Sequence, residues 1–250
     1  MPMNRSFCSV TIMLALAASA AQAAPDPADI LAQSDHARGG GLPGIVWDVH
    51  ASTEAGGEDP DAATTMTLRV TAVADASVAE TLEPVRQKGA RMLQVERVMW
   101  LTRPGLKKPI PISPRQRLTG QAAVGDIAAT NYVQDYAATL EREEPCGTTT
   151  CWLLDLRAKT RNTTYDRVLY WVTVDGRLGA KAEFYSVSGK LLKRAEFEYA
   201  NLIVYDGRKL PFVSKMVIHD ALTPATTTLD YTGISVEKIP ATTFEVGHLD

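Results

Sequence analysis

The chain has 250 residues, with 26 lysines and arginines against 29 acids, a formal net charge of −3 and a pI near 5.9. That balance offers nucleic acid no long-range attraction, and no basic block or basic-plus-aromatic stripe supplies one locally. The length suits one large all-β domain or two small ones; no Pro/Ser/Gly-rich linker splits the pattern, so residues 24–250 are expected to form a single domain.

Residues 1–23 read as a secretory signal: Arg5 supplies a positive start, an apolar run covers 7–18, and Ala21-Gln22-Ala23 offers a small-x-small cleavage site before Ala24. The run is too short to span a bilayer comfortably, and Pro25-Asp26-Pro27 follows it as a polar exit. Cys8 lies near the beginning of the run, whereas a lipidated start would need a cysteine at its end. An exported, periplasmic protein is predicted.

A short helix opens the mature chain, capped by Asp26, with Pro27 in its first turn and Ile30, Leu31, Ser34 and Ala37 on one side; Gly39-Gly40-Gly41 ends it. From there the apolar period changes to two. Strands are predicted over 45–51 and over Met66, Leu68, Val70 and Ala72, separated by an acidic loop at 54–63. Further strands follow at 77–83 and 91–102, with a turn at 84–89. A helical stretch is possible on pattern around 124–131 and again in the last ten residues.

Strands at 136–141 and 151–158 flank the cysteine pair. Cys146 and Cys151 are the two that survive export, and an even pair in an oxidising compartment is expected to close a disulfide across the intervening turn. The competing reading, half of a metal site, lacks a second Cys/His pair. Strands at 165–174 and 181–187 end at Asp175-Gly176 and Ser188-Gly189; 192–199, 212–218 and 226–236 complete the series, with a turn at Asp206-Gly207. Roughly ten strands at this spacing indicate an antiparallel sandwich or barrel. In 165–174 both faces are apolar: Val168, Tyr170, Val172 and Val174 on one, Leu169 and Trp171 on the other. Either this is an ordinary two-sided core or one side lines an apolar cavity.

No catalytic constellation emerges. His36, His50, His219 and His248 are scattered, and no nucleophile-elbow, zinc-protease or phosphate-loop motif occurs. Asp48 and His50 share a strand face but have no third ligand, so they read as surface residues, and neither metal nor cofactor is expected.

The order of these pieces resembles the LolA-like outer-membrane lipoprotein-sorting family. The resemblance rests on Ala28-Asp29-Ile30-Leu31 with Asp35 and Arg38, the 89–100 strand followed by Pro104, and Gly120 through Asp126 with Tyr136. It continues through 151–156 and 165–174 to Tyr185, Gly189 and Lys190. It implies a mainly β fold with a few helices: a strongly curved antiparallel sheet, an incomplete β-barrel, with helices covering the open side and an apolar cavity for lipid or lipoprotein acyl chains. It also implies a peripheral encounter with a membrane, and an inner-membrane transporter or outer-membrane acceptor as partner.

Within that picture, Leu93, Val95, Met99, Leu101, Leu154, Leu169, Trp171, Phe184 and Phe197 are the expected cavity lining. Arg97 falls on the same side as Leu93 and Met99 if 91–102 is one strand; there it would need hydrogen bonds, and could latch a covering helix through backbone carbonyls. The other facing puts Trp100 inward and Arg97 in solvent. The resulting reading is a non-enzymatic acyl-chain carrier. The alternative is a sensor or transporter-accessory module of the same fold that recognises a lipidated partner.

Overall fold

The computed structural model describes residues 24–54, 64–128 and 131–248. Residues 1–23, expected to be a secretory signal, and residues 55–63 of the acidic loop lie outside the described residues. Helix α1 spans Pro27–His36. The Asp26 carboxylate accepts the Ala28 N–H at 2.9 Å, and Pro27 sits where a missing N–H costs nothing. Ile30, Leu31, Ser34 and Asp35 form its buried face.

The first strands form a meander: β1 (Ile45–Glu54), β2 (Thr64–Ala72), β3 (Ala76–Glu83), β4 (Arg91–Val95), β5 (Val98–Thr102) and β6 (Ile110–Ile112). Alternation sets the faces: Trp47, Val49 and Ala51 are buried while His50 is exposed. The expected single strand over 91–102 is two. Glu96 and Arg97 adopt left-handed φ angles of 49° and 64°, which reverses the chain so that Val95 faces Val98 and Met92 faces Leu101.

Next come β7 (Arg117–Thr119), β8 (Ala122–Ala123), α2 (Val124–Ala128) and α3 (Tyr132–Asp135). The second meander comprises β9 (Tyr136–Cys146), β10 (Thr149–Ala158), β11 (Arg167–Thr173), β12 (Gly179–Tyr185) and β13 (Leu191–Glu198). A hairpin of β14 (Asn201–Tyr205) and β15 (Arg208–Phe212) precedes β16 (Lys215–Asp220) and β17 (Thr226–Val236). The predicted strand over 212–218 is thus broken at Val213 and Ser214, and the described residues end in two 3₁₀ turns, Ala241–Phe244 and Val246–His248.

Thirteen strands make one antiparallel sheet in the order β6-β5-β4-β3-β2-β1-β17-β16-β13-β12-β11-β10-β9. It curves without closing into a barrel: β6 and β9 are its two edges. The chain leaves the sheet at β6 and re-enters at the far edge, so the segment 113–135 must cross a face. It crosses the inner one, with the β7–β8 turn seated on β1 and β17 and α3 against α1 and β9. Gly120 permits this approach, since a Cβ there would lie 1.9 Å from Thr53 Oγ1. The β14–β15 hairpin covers another part of the inner face, placing Phe212 5.9 Å from Trp47. Among the described residues no helix is long and apolar enough to cross a membrane.

Candidate functional site

Together α1, the crossing segment and the β14–β15 hairpin cover most of the inner face. Under α1 the space is filled rather than hollow. Arg38, only 5% exposed, lies 4.3 Å over the Tyr132 ring and 5.6 Å from Phe197, while Ser34 Oγ and Tyr170 Oη are 2.9 Å apart. The Asp35 carboxylate accepts the Val133 N–H at 2.8 Å. Burial pushes its pKa up to about 7, against the opposing pull of that N–H and of Arg38. Burial likewise raises Tyr132 to about 12. These phenols therefore stay neutral and serve as hydrogen-bonding, aromatic walls around a caged guanidinium.

A second polar knot lies under the crossing segment. Asp126 on α2 accepts the Lys193 ammonium from β13, the Ala123 N–H at 2.7 Å and the Tyr165 hydroxyl at 2.8 Å. Both knots tie covering elements to the sheet.

What they leave open is the end of the inner face over β3–β6. There a groove of about 690 Å³ has a floor of Met92, Leu101, Ile112, Leu118 and Val124. Its banks are the loops 85–90 and 103–106, carrying Arg86, Lys88 and Arg103, with Arg117 at the remaining side. The volume falls in the range of roughly 300–1,000 Å³ that small-molecule sites occupy. The groove contains no nucleophile paired with a base, and what it offers chemically is apolar burial beside cations.

The residues expected to line one cavity are divided by the structure. Leu101 lines the groove, and Met99 is buried on the same inner face. Leu154, Phe184 and Phe197 face inward too but belong to the filled core: Phe184 is fully buried 4.5 Å from Tyr165, and Phe197 is 6.1 Å from Tyr170. Leu93 and Val95 lie on the opposite, outer face, against Phe244, Ile239 and Val246. Their expected facing is corrected because the turn at Glu96 and Arg97 breaks the parity count between β4 and β5. Leu169 and Trp171 are also outer-face residues, packed with Leu153 beneath the Cys146–Cys151 disulfide, whose Cα atoms are 5.8 Å apart. The two-sided apolar pattern of β11 thus reflects a second, small cluster and not a cavity.

Arg97 projects from the β4–β5 turn and donates to the Gln134 carbonyl at 2.5 Å and to Asp135 Oδ1 at 3.0 Å, at the end of α3. Asp48 pairs with Arg69 at 2.8 Å, and His50 meets Thr67 at 3.1 Å. Among the described residues no three His, Cys, Asp or Glu side chains are grouped to hold a metal ion. Met92, Ile112, Leu118 and Val124 were not anticipated in the groove, nor Lys193 in its buried pair; the signal available was the Gly120–Asp126 segment, whose close approach required a glycine.

A family model described as an uncharacterized protein matches residues 74–250. A LolA superfamily protein from Nitrosomonas europaea is 31% identical, covers 89% of this chain and 98% of its own, and superposes with a TM-score of 0.78. The chain belongs to the LolA superfamily. Two further LolA-type folds superpose with TM-scores of 0.73: an outer membrane lipoprotein-sorting protein domain from Vibrio parahaemolyticus and a DUF1329 family protein from Desulfovibrio piger. Their identities are 18% and 20%; they cover 89% and 90% of this chain, and 97% and 100% of their own. At that distance they establish the LolA fold alone. No curated protein matches by sequence.

Proposed function

We propose that this LolA superfamily member is a periplasmic, non-enzymatic carrier that shields lipid or lipoprotein acyl chains in the groove over β3–β6. One observation supports the reading: among the described residues, apolar side chains of the inner face, Met92, Leu101 and their neighbours, line an open groove. An acyl chain laid there gains about 0.8 kcal/mol per buried methylene, enough for a few methylenes to matter. The lipoprotein-sorting description of the Vibrio relative and the secretory pattern of residues 1–23 support the compartment and the cargo class. Delivery would then involve an inner-membrane donor or an outer-membrane acceptor, met peripherally.

The test is titration with a fluorescent long-chain fatty acid. Leu101→Glu, at a half-buried position on the groove floor, should weaken binding by about tenfold or more through desolvation of the new carboxylate, while circular dichroism stays that of the parent. A parent that binds no probe, or a folded Leu101→Glu variant that binds it unchanged, overturns the assignment.

A further inference from the structure

The cations of the chain are distributed unevenly with respect to acids. Arg69, Arg91, Arg97, Arg115, Arg142, Arg157, Arg167, Arg194 and Lys193 each make an ion pair. Other cations, Arg161, Lys190, Arg208 and Lys209 among them, make no ion pair among the described residues, and those at the groove are of this second kind. Arg86, Lys88 and Arg103 are exposed, and none makes an ion pair among the described residues. Arg117 donates to the Gln121 side-chain carbonyl at 3.3 Å and also acts electrostatically on Asp220. No Asp or Glu lines the groove. Lys107 and Lys108 follow directly on the second bank and are also exposed.

The two banks are neighbours as well as parallel. A Cβ built on Gly89 would lie 3.5 Å from Pro104 Cγ, so the two banks approach each other, and Lys88 and Arg103, the residues next to these two, line the same groove. In a chain with a net charge of −3, Arg86, Lys88 and Arg103 are a local accumulation of like charge with no acid lining the groove beside them. Mutual repulsion makes it unfavourable unless an anion shares the site.

Resting on the carrier reading above, we infer that the groove selects acyl chains whose polar end is anionic. The chain lies over Met92 and Leu101, and the anionic headgroup is held at the mouth by Arg86, Lys88 and Arg103. The ligand class is an anionic lipid taken up as a single molecule. Guanidinium and ammonium groups suit carboxylate or phosphate oxygens through short, charge-assisted hydrogen bonds, and their attraction weakens as salt screens it.

The experiment compares two probes with the same fluorophore and chain, a fatty acid and its uncharged methyl ester, on the parent and on the Arg86→Gln/Lys88→Gln/Arg103→Gln variant. The parent should bind the acid about tenfold more tightly than the ester, with the preference shrinking as ionic strength rises. The triple variant should bind both with the ester's affinity. Because all three side chains are exposed, its circular dichroism should match the parent's. Equal binding of acid and ester by the parent overturns the headgroup inference and leaves the carrier reading intact. A preference that survives in the triple variant shows that these cations are not the site. Binding of neither probe overturns the carrier reading itself. Association only with vesicles of anionic phospholipid, without uptake of the soluble acid, assigns the cations to a membrane surface and also refutes the inference.

Discussion

Asp126 on the crossing segment and Lys193 on β13 form an ion pair whose side chains are 1% and 6% exposed. Neither is left short of partners. Lys193 also donates to the Gln121 carbonyl at 2.9 Å and lies 5.1 Å from the Tyr165 ring, while Asp126 accepts two further hydrogen bonds. Such a pair contributes little net stability when intact but is costly to break, because the surviving charge stays buried alone. Lys193→Met and Asp126→Asn are each expected to lower unfolding stability by about 3–5 kcal/mol. The double variant should lose less than their sum, measured by urea denaturation.

Asp35 makes stability depend on pH in the direction opposite to a salt-bridged carboxylate. Its folded pKa is about 7 against an ordinary 3.8, so between those values the folded state keeps a proton that the unfolded state releases. The contribution of Asp35 is therefore fully present below the lower value and is lost as pH rises toward 7, by an amount on the order of a few kcal/mol. Asp35→Asn should flatten that part of the profile. Chemical denaturation of parent and variant from pH 4 to 8 measures the difference; parallel curves would show that Asp35 is not the titrating group.

Arg97 fastens α3 to the β4–β5 turn from a side chain that is 37% exposed. Solvent screening keeps the ion pair's share of global stability small, within roughly 1 kcal/mol. The effect should be local. Arg97→Ala is expected to speed hydrogen exchange across 132–136 while shifting the denaturation midpoint little. Unchanged exchange there would mean that the other contacts of α3, those of Asp35 and Lys159 among them, hold it without Arg97.

The Cys146–Cys151 bridge closes a short loop at the sheet edge, so the chain-entropy model assigns it only about 2 kcal/mol. The Cys146→Ser/Cys151→Ser protein should fold with a modestly lower Tm. Because Trp171 packs beside Cys151, with its indole N–H donating to Glu144 at 2.5 Å, the near-ultraviolet dichroism should change more than the far-ultraviolet signal. In the parent, intact mass after alkylation without reduction should show neither Cys146 nor Cys151 alkylated.

Local chemistry in the sequence was enough to determine many of the elements, but not the break between β4 and β5 or the short strands β6 to β8. Asp26 and Pro27 start α1, period-two alternation through 45–51 and 66–72 places Trp47, Val49, Leu68 and Val70 on the buried face, and Asp206-Gly207 turns the chain at φ angles of 49° and 70°. The family likeness was legible for the same reason, since it depends on the order of such local features. The facing of Leu93 and Val95 was not, because Glu96 and Arg97 are ordinary residues whose left-handed conformations leave no mark in composition. Nor could sequence show that Leu169 and Trp171 face the disulfide side: both faces of β11 are apolar, and only its neighbours decide which is covered by what. The buried partners join segments 67 residues apart for Asp126 and Lys193 and 136 apart for Ser34 and Tyr170. The groove depends on where three separate covering elements stop, and a place left uncovered is a property of the assembled sheet that no single segment encodes.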